Sequence, residues 1–164
     1  MDKKYILNEK QIAIRMQRMA LEVAERNTHA SRIVLAGIEP NGSIMANKLA
    51  QLLSKWFGGA IEIIHVSLDK RHPKEIVTDR MPNLTDAVLL VVDDVANSGK
   101  TLLYALKPFL DQHPQKIQIL VLVDRTHKKY PIHPDYVGLS LSTTLQEYIE
   151  VEIADGELAG AWMA

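Results

Sequence analysis

The sequence contains no cysteine, and no apolar run in its 164 residues is long enough to span a bilayer. Without cysteine there is no disulfide framework and no thiolate metal site, which fits a reducing compartment. The opening residues MDKKYILNEK lack the apolar core of a secretory signal. A net charge of −1 gives no overall positive field that would attract nucleic acid. We therefore expect an intracellular, cytoplasmic protein.

What the sequence does have is a 47% apolar content, ample for a buried core, and a length typical of one domain covering residues 1–164. Strands are predicted at residues 33–38, 61–68, 88–92, 117–123, 136–139 and 148–153, and helices after the capping residue Asn8, at 43–57 and at 100–110. Residues 69–86 are polar, contain two prolines and predict a long loop. The alternation of strands and helices predicts an α/β fold with a largely parallel sheet.

The stretch VVDDVANSGKT, residues 91–101, joins a predicted strand to a predicted helix. The carboxyl ends of parallel strands are where α/β sheets bind ligands. Backbone N–H groups of the last six residues can face an anion at the start of the helix, and Gly99 permits its close approach. The hydroxyl groups of Ser98 and Thr101 and the amine of Lys100 add side-chain donors. The loop therefore predicts a site for a phosphate group.

Asp93 and Asp94 stand immediately before that loop. Carboxylates repel a phosphate, so this pair predicts a neutral or cationic partner. The vicinal hydroxyls of a ribose suit it, because each carboxylate accepts a hydrogen bond, and Mg²⁺ reached through water would offset the charge. The whole segment predicts a site for a sugar phosphate.

The segment also shares features with other kinds of site. SGKT is similar to the end of an ATP-binding P-loop, but the first glycine of that pattern would fall at Asp94. The Mg²⁺-binding strand of P-loop ATPases would require a separate phosphate loop, and none is present in the sequence. A plainer alternative is a strand that ends in a solvated acidic turn, with Ser98 or Thr101 capping the next helix. No pair of histidines has the spacing of helical metal ligands.

Residues 91–101 resemble the phosphoribosyl-pyrophosphate signature of type I phosphoribosyltransferases. The resemblance implies that Asp93 and Asp94 contact the ribose hydroxyls. It implies that the 5′-phosphate is bound by Ala96, Asn97, Ser98, Gly99, Lys100 and Thr101. It also implies phosphoribosyl pyrophosphate and a nucleobase as substrates, a nucleotide monophosphate as product, and Mg²⁺ held mainly by pyrophosphate.

Three further stretches narrow the resemblance to pyrimidine-operon attenuators with uracil phosphoribosyltransferase activity. They are ILNEKQIAIRMQRMALEVAERN at 6–27, LAGI at 35–38 and LVDRTHKKYPIHPDYVG at 122–138. The resemblance implies the type I phosphoribosyltransferase fold with a small hood, assembled as a homodimer or higher. It implies a base site near the last stretch, for which the candidates are Asp124, Arg125, His127 and Ile132. A solvent-exposed role is the open alternative for Arg125 and His127.

The turn after the first predicted strand departs from the family pattern. Members usually carry an arginine that holds pyrophosphate together with the backbone, whereas this chain has Glu39, Pro40, Asn41 and Gly42. We predict that the last three of these residues still form the pyrophosphate turn, and that transfer is weak because the arginine is missing. A helix start without a ligand is the alternative.

The loop at 69–86 corresponds to the mobile lid of this fold. Lys70, Arg71 and Lys74 are candidates to reach pyrophosphate from it, and Arg71 joins Asp93 and Asp94 as a predicted catalytic residue. A closed lid would exclude water, which otherwise hydrolyses a ribosyl cation as it forms. A solvated basic loop is the alternative.

The predicted activity is transfer of ribose 5-phosphate to a pyrimidine base, with uracil favoured. Purine-type relatives carry an acidic residue at the position of Asn97, and an amide cannot accept a proton as that acid does.

The alternative function is a nucleotide-sensing, RNA-binding regulator with little or no catalysis. Arg15, Arg18 and Arg26 could form a basic face on the first helix. RNA is nevertheless disfavoured, because Gln17 and Leu21 stand where the attenuators have threonine and histidine on their RNA-contacting helix.

Overall fold

The computed structural model describes residues 3–144 and 146–164. Its strands are β1 (Lys4–Asn8), β2 (Arg32–Ile38), β3 (Ala60–Ser67), β4 (Val77–Thr78), β5 (Val88–Ala96), β6 (Lys116–Arg125), β7 (Tyr136–Leu141), β8 (Ile149–Ala154) and β9 (Glu157–Met163). Its α-helices are α1 (Glu9–Arg26), α2 (Asn41–Leu53) and α3 (Lys100–Ala105), and a 3-10 helix covers Lys107–Gln112. Within this part of the chain, no helix has the length and apolar character needed to cross a membrane.

Six strands form the central sheet in the order β4-β3-β2-β5-β6-β7. Neighbouring strands run parallel, except that β3 and β4 are antiparallel. The strands β2, β5 and β6 are almost continuously buried, as expected for strands covered on both faces. Side chains of α1 and α2 pack on one face, and those of α3 and the 3-10 helix pack on the other. The predicted α/β fold with a largely parallel sheet is confirmed.

A second sheet of three antiparallel strands, in the order β1-β9-β8, forms the hood. Neither β1 nor β9 is predicted from the sequence. The small residues of β9, which reads ELAGAWM, have low strand propensity. The segment becomes a strand because it lies between β1 and β8 and pairs with both. Tertiary pairing therefore overrides local preference here.

The helices begin and end partly where the sequence predicts. The capping box of α1 is confirmed, since the Asn8 side chain accepts the N–H of Gln11 and the Gln11 side chain accepts the N–H of Asn8. The bounds of α2 are shifted from the predicted 43–57 to 41–53. The prediction of one helix over 100–110 is wrong, because α3 has six residues and gives way to the 3-10 helix. Pro108 lacks the N–H that a continuing α-helix would use.

Three arginines of α1 hold this helix against β7. Arg15 donates to the carbonyl oxygen of Gly138 at 2.6 Å, and Arg18 donates to that of Val137 at 2.7 Å. Arg26 donates to the carbonyl oxygen of Asp135 at 3.1 Å, and its guanidinium lies over the ring of Tyr136. Part of the donor capacity of each arginine thus serves packing within the chain.

Candidate functional site

A cavity of about 350 Å³ opens at the carboxyl ends of the parallel strands. Residues 93–102 form its floor and one wall, residues 149–151 of the hood form the opposite wall, and Asn41 and Lys70 complete it. The tertiary structure therefore brings the predicted acidic pair, the predicted phosphate loop, one residue of the predicted pyrophosphate turn and one residue of the predicted lid into one concave site.

Asp93 and Asp94 are still part of β5, and their environments differ. Asp93 is 1% exposed, and its Oδ1 accepts the N–H of Asp94 at 2.8 Å. Asp94 is half-buried, and its Oδ1 accepts the N–H of Val95 at 2.8 Å. Burial, followed by the negative charge of Asp94, raises the pKa of Asp93 well above its ordinary value. Asp94 is thus the more accessible of the two carboxyl groups that line the cavity.

Lys70 extends from the lid toward the buried carboxylate. Its Nζ lies 3.6 Å from Oδ1 of Asp93, and its side chain is 44% exposed. This cation opposes the rise in the pKa of Asp93 without cancelling it. Arg71 and Lys74 are exposed and do not line the cavity. The backbone N–H of Arg71 donates to Oδ1 of Asp69 at 2.9 Å. The lid therefore contributes one cation to the cavity wall.

The phosphate loop is shaped by its backbone. Gly99 has a φ of 89°, a left-handed conformation that favours glycine, and a β-carbon there would lie 3.3 Å from the side chain of Ile132. The carbonyl oxygen of Ser98 accepts the N–H groups of Lys129 and Tyr130 at 3.0 and 3.1 Å. The segment that follows β6 therefore supports the loop from behind. Since α3 has six residues, its dipole is shorter than the sequence predicts, and the loop's own donors matter more.

The predicted pyrophosphate turn and the preceding Glu39 are held by contacts with β3 on one side and with Asp94 on the other. The N–H of Glu39 donates to the carbonyl oxygen of Val66 at 2.8 Å, and its carboxylate lies 3.3 Å from Nδ1 of His65. Glu39 therefore faces β3, and it does not line the cavity. Asn41 faces the opposite way, and its Nδ2 donates to Oδ2 of Asp94 at 2.9 Å. Pro40 and Gly42, the other two predicted residues of the turn, do not line the cavity.

The four predicted base-site residues lie outside this cavity. Asp124 pairs with Lys128 at 2.6 Å in a buried ion pair. Arg125 donates to the Thr143 hydroxyl at 2.6 Å and to the side-chain oxygen of Asn97 at 3.3 Å.

The remaining two candidates for the base site differ in exposure. His127 is exposed, whereas Ile132 is 6% exposed and packs in the core. Arg125 and Ile132 lie against the phosphate loop, and a direct contact of any of the four residues with a base stays a prediction.

Sequence reasoning missed the hood wall, residues 149–151. Ile149 and Val151 are buried and Glu150 is exposed, an alternation that marks a strand but carries no functional motif. The sequence signal for this wall is its strand periodicity alone, because the cavity arises from the packing of β8 beside the end of β5.

A metal ion would find few protein ligands here. Among the described residues, no group of three or more histidine, cysteine, aspartate or glutamate side chains could hold one. Asp93 and Asp94 supply two carboxylates, which suits Mg²⁺ held by water and by the oxygens of a bound phosphate ligand. The donor set therefore fits an ion that arrives with its ligand.

Comparisons with known proteins agree with this geometry. A model of the phosphoribosyl transferase domain matches residues 3–154. The bifunctional protein PyrR of Clostridioides difficile is 32% identical over 168 residues, covering 95% of each chain. The bifunctional protein PyrR of Microcystis aeruginosa is 33% identical over 159 residues, covering 92% of this chain and 90% of the relative.

Solved structures share the fold at lower identity. A hypoxanthine-guanine phosphoribosyltransferase (hpt-2) of Bacillus anthracis has a TM-score of 0.73 at 20% identity and covers 99% of this chain and 98% of its own. A hypoxanthine phosphoribosyltransferase of Trypanosoma cruzi has a TM-score of 0.77 at 15% identity, covering 97% and 94%. The domain match, the relatives and the shared fold together establish that the chain belongs to the phosphoribosyl transferase family, of the type I fold, and is related to PyrR.

Proposed function

We propose that this chain transfers the ribosyl 5-phosphate group of phosphoribosyl pyrophosphate to a ring nitrogen of a pyrimidine, with uracil as the favoured base. The bond between ribose C1 and pyrophosphate oxygen breaks, a bond between C1 and the base nitrogen forms, and that nitrogen loses its proton to water. The observation that carries the proposal is the single cavity lined by both the acidic pair and the phosphate loop. Family membership supports the reaction class.

Each wall of the cavity has a role in this proposal. The loop at 96–101 binds the 5′-phosphate through backbone N–H groups, hydroxyls and Lys100. Asp94 accepts hydrogen bonds from the ribose hydroxyls, while Asp93 lies beneath it. Lys70 approaches from the lid, where negative charge grows as pyrophosphate leaves. Catalysis then comes from positioning and charge stabilisation, without a covalent intermediate on the protein.

Mg²⁺ fits this site as a companion of the substrate. When bound, it would neutralise pyrophosphate oxygens, and Asp93 and Asp94 would reach it through water.

The preference for a pyrimidine rests on Asn97, which lines the cavity and cannot accept a proton. RNA is the disfavoured partner, because the net charge is −1 and because Gln17 and Leu21 stand where the attenuators have threonine and histidine.

Binding of ribose 5-phosphate, measured by calorimetry, tests the proposal directly. We expect wild type to bind ribose 5-phosphate, uridine monophosphate and phosphoribosyl pyrophosphate with Mg²⁺, and to bind ATP poorly. The double variant Asp93→Asn, Asp94→Asn should bind all three ligands at least tenfold more weakly, since hydrogen bonds to charged groups are worth about 1.5–3 kcal/mol each. Asp111→Asn is the matched control, because this residue lies in the 3-10 helix and not in the cavity. Equal affinity in wild type and double variant would exclude the proposed site.

A further inference from the structure

Asn41 lies where three elements meet, at the start of α2, the end of β5 and the middle of β8. Its Nδ2 donates to Oδ2 of Asp94 at 2.9 Å and to the carbonyl oxygen of Val151 at 3.4 Å. A side-chain amide nitrogen carries two hydrogens. These two acceptors, one in the core and one in the hood, therefore use both of its donors.

The backbone fixes this placement. A β-carbon on Gly42 would collide with the carbonyl oxygen of Val92, and one on Gly37 would lie 2.7 Å from Cα of Ser43. The start of α2 is thus pressed against the ends of β2 and β5, at a distance that glycine alone allows. The close packing of the main chain therefore holds Asn41 beside Asp94.

The contacts leave Asn41 poorly suited to a pyrophosphate. With both N–H groups engaged, the part of the amide that remains is its oxygen, which a phosphate oxygen repels. We infer that Asn41 is a positioning residue: it orients Asp94 for the sugar hydroxyls and ties that carboxylate to the hood strand β8. The role of Asp94 rests on the proposed function.

Orientation of Asp94 has a direct consequence for the sugar. Its Oδ1 accepts the N–H of Val95 and its Oδ2 accepts Asn41, so the carboxylate plane is set from both sides. Each carboxylate oxygen has a second lone pair, which stays available for a ribose hydroxyl. The carboxylate does not have to be ordered when the sugar arrives, and binding is stronger for that reason. The tie to Val151 also joins sugar binding to the hood wall.

Calorimetry on three ligands separates this role from direct contact with pyrophosphate. The ligands are ribose 5-phosphate, phosphoribosyl pyrophosphate with Mg²⁺, and inorganic pyrophosphate with Mg²⁺. In Asn41→Ala we expect the Kd of the first two to rise by the same factor, roughly tenfold, the scale of one hydrogen bond to a charged group. The Kd of inorganic pyrophosphate should not change. Asn47→Ala is the matched control, since it is the same residue type, exposed on the same helix.

Hydrogen exchange of the backbone N–H groups of β8 tests the tie to the hood. Ribose 5-phosphate should slow exchange at 149–151 in wild type and in Asn47→Ala, and should do so much less in Asn41→Ala at equal saturation. Asn41→Asp, which keeps the shape but cannot donate from that position, should lose affinity for ribose 5-phosphate at least as strongly.

The outcomes are distinguishable. If wild type binds neither sugar phosphate, the proposed function fails. If wild type binds both and the folded Asn41 variants weaken pyrophosphate ligands alone, Asn41 is a pyrophosphate ligand and our inference is wrong. Unchanged affinity for all ligands in the folded variants would overturn it equally.

Discussion

Nζ of Lys70 lies 3.6 Å from Oδ1 of Asp93, so a cation from the lid reaches a carboxylate that is almost completely buried at the end of β5. The pair joins the basic loop to the acidic end of β5, although more than twenty residues separate Lys70 from Asp93 in the sequence. Lys70 also adds a positive charge to the lining of a cavity whose pyrophosphate turn lacks the arginine that family members usually carry.

Removing the carboxylate of Asp93 should stabilise the ligand-free chain at neutral pH. Its pKa is raised in the folded state, so between the ordinary pKa and the raised one the unfolded chain loses a proton that the folded chain keeps. Stability therefore falls as pH rises through that window, and stays reduced above it. We expect Asp93→Asn to melt several degrees higher than wild type at pH 7, and the difference should vanish toward pH 4. For a chain of this size, about 1 kcal/mol in the free energy of unfolding corresponds to roughly 2–4 °C in melting temperature.

A contrasting variant gives that experiment its control. The backbone N–H groups of His65 and Arg80 lower the pKa of Asp79, so the stability that this residue contributes is present at neutral pH and lost as pH falls. Asp79→Asn should therefore melt slightly lower at pH 7. An unchanged melting temperature in Asp93→Asn across the pH range would contradict the burial argument.

Lys70 should matter more for phosphoribosyl pyrophosphate than for ribose 5-phosphate. Lys70→Met removes the lid cation from the cavity wall, and we expect the affinity for the pyrophosphate-bearing ligand to fall about tenfold more than that for the sugar phosphate. Lys74→Met is the control, because Lys74 is exposed and does not line the cavity. Equal losses for both ligands would show that Lys70 acts through Asp93 instead.

Purine bases should be poor acceptors. Asn97 lines the cavity and offers no general base, a function that typically contributes about 10²–10⁴-fold in rate. We expect hypoxanthine turnover at least a hundredfold below uracil turnover, and a relative gain for hypoxanthine in Asn97→Asp. The guanidinium of Arg125, 3.3 Å from the Asn97 oxygen, would hold a carboxylate in the same place. Comparable rates for uracil and hypoxanthine in wild type, measured by pyrophosphate release, would contradict the assignment.

Transfer should be slow in wild type, and Glu39 should not be the cause. The turn carries no arginine, and loss of one such transition-state donor costs on the order of 2.7–4 kcal/mol, or about a hundred- to a thousandfold in rate. Because the Glu39 carboxylate lies 3.3 Å from His65 and outside the cavity, Glu39→Gln should leave kcat unchanged. A marked acceleration in Glu39→Gln would show that this carboxylate faces the leaving group during the reaction.

The strand end and the phosphate loop could be predicted from sequence because their signals are local. An apolar run, two carboxylates and a loop of small residues lie within residues 88–101, and each property depends on near neighbours. The placement of this segment on β5, before α3, follows that prediction. The length of α3 does not, because Pro108 makes the helix end sooner than its apolar spacing suggests.

The sequence by itself determined the α/β class, the capping box of α1 and the segment that carries the acidic pair, since periodicity, caps and short motifs are encoded by residues close together in the chain. The tertiary structure decided what these groups face. Asp93 is buried and Asp94 is not, Glu39 turns to His65, and Asn41 joins Asp94 to the hood. Those relationships depend on the parallel pairing of β2 with β5 and on the pairing of β9 between β1 and β8, contacts between residues far apart in sequence whose partners no local pattern specifies.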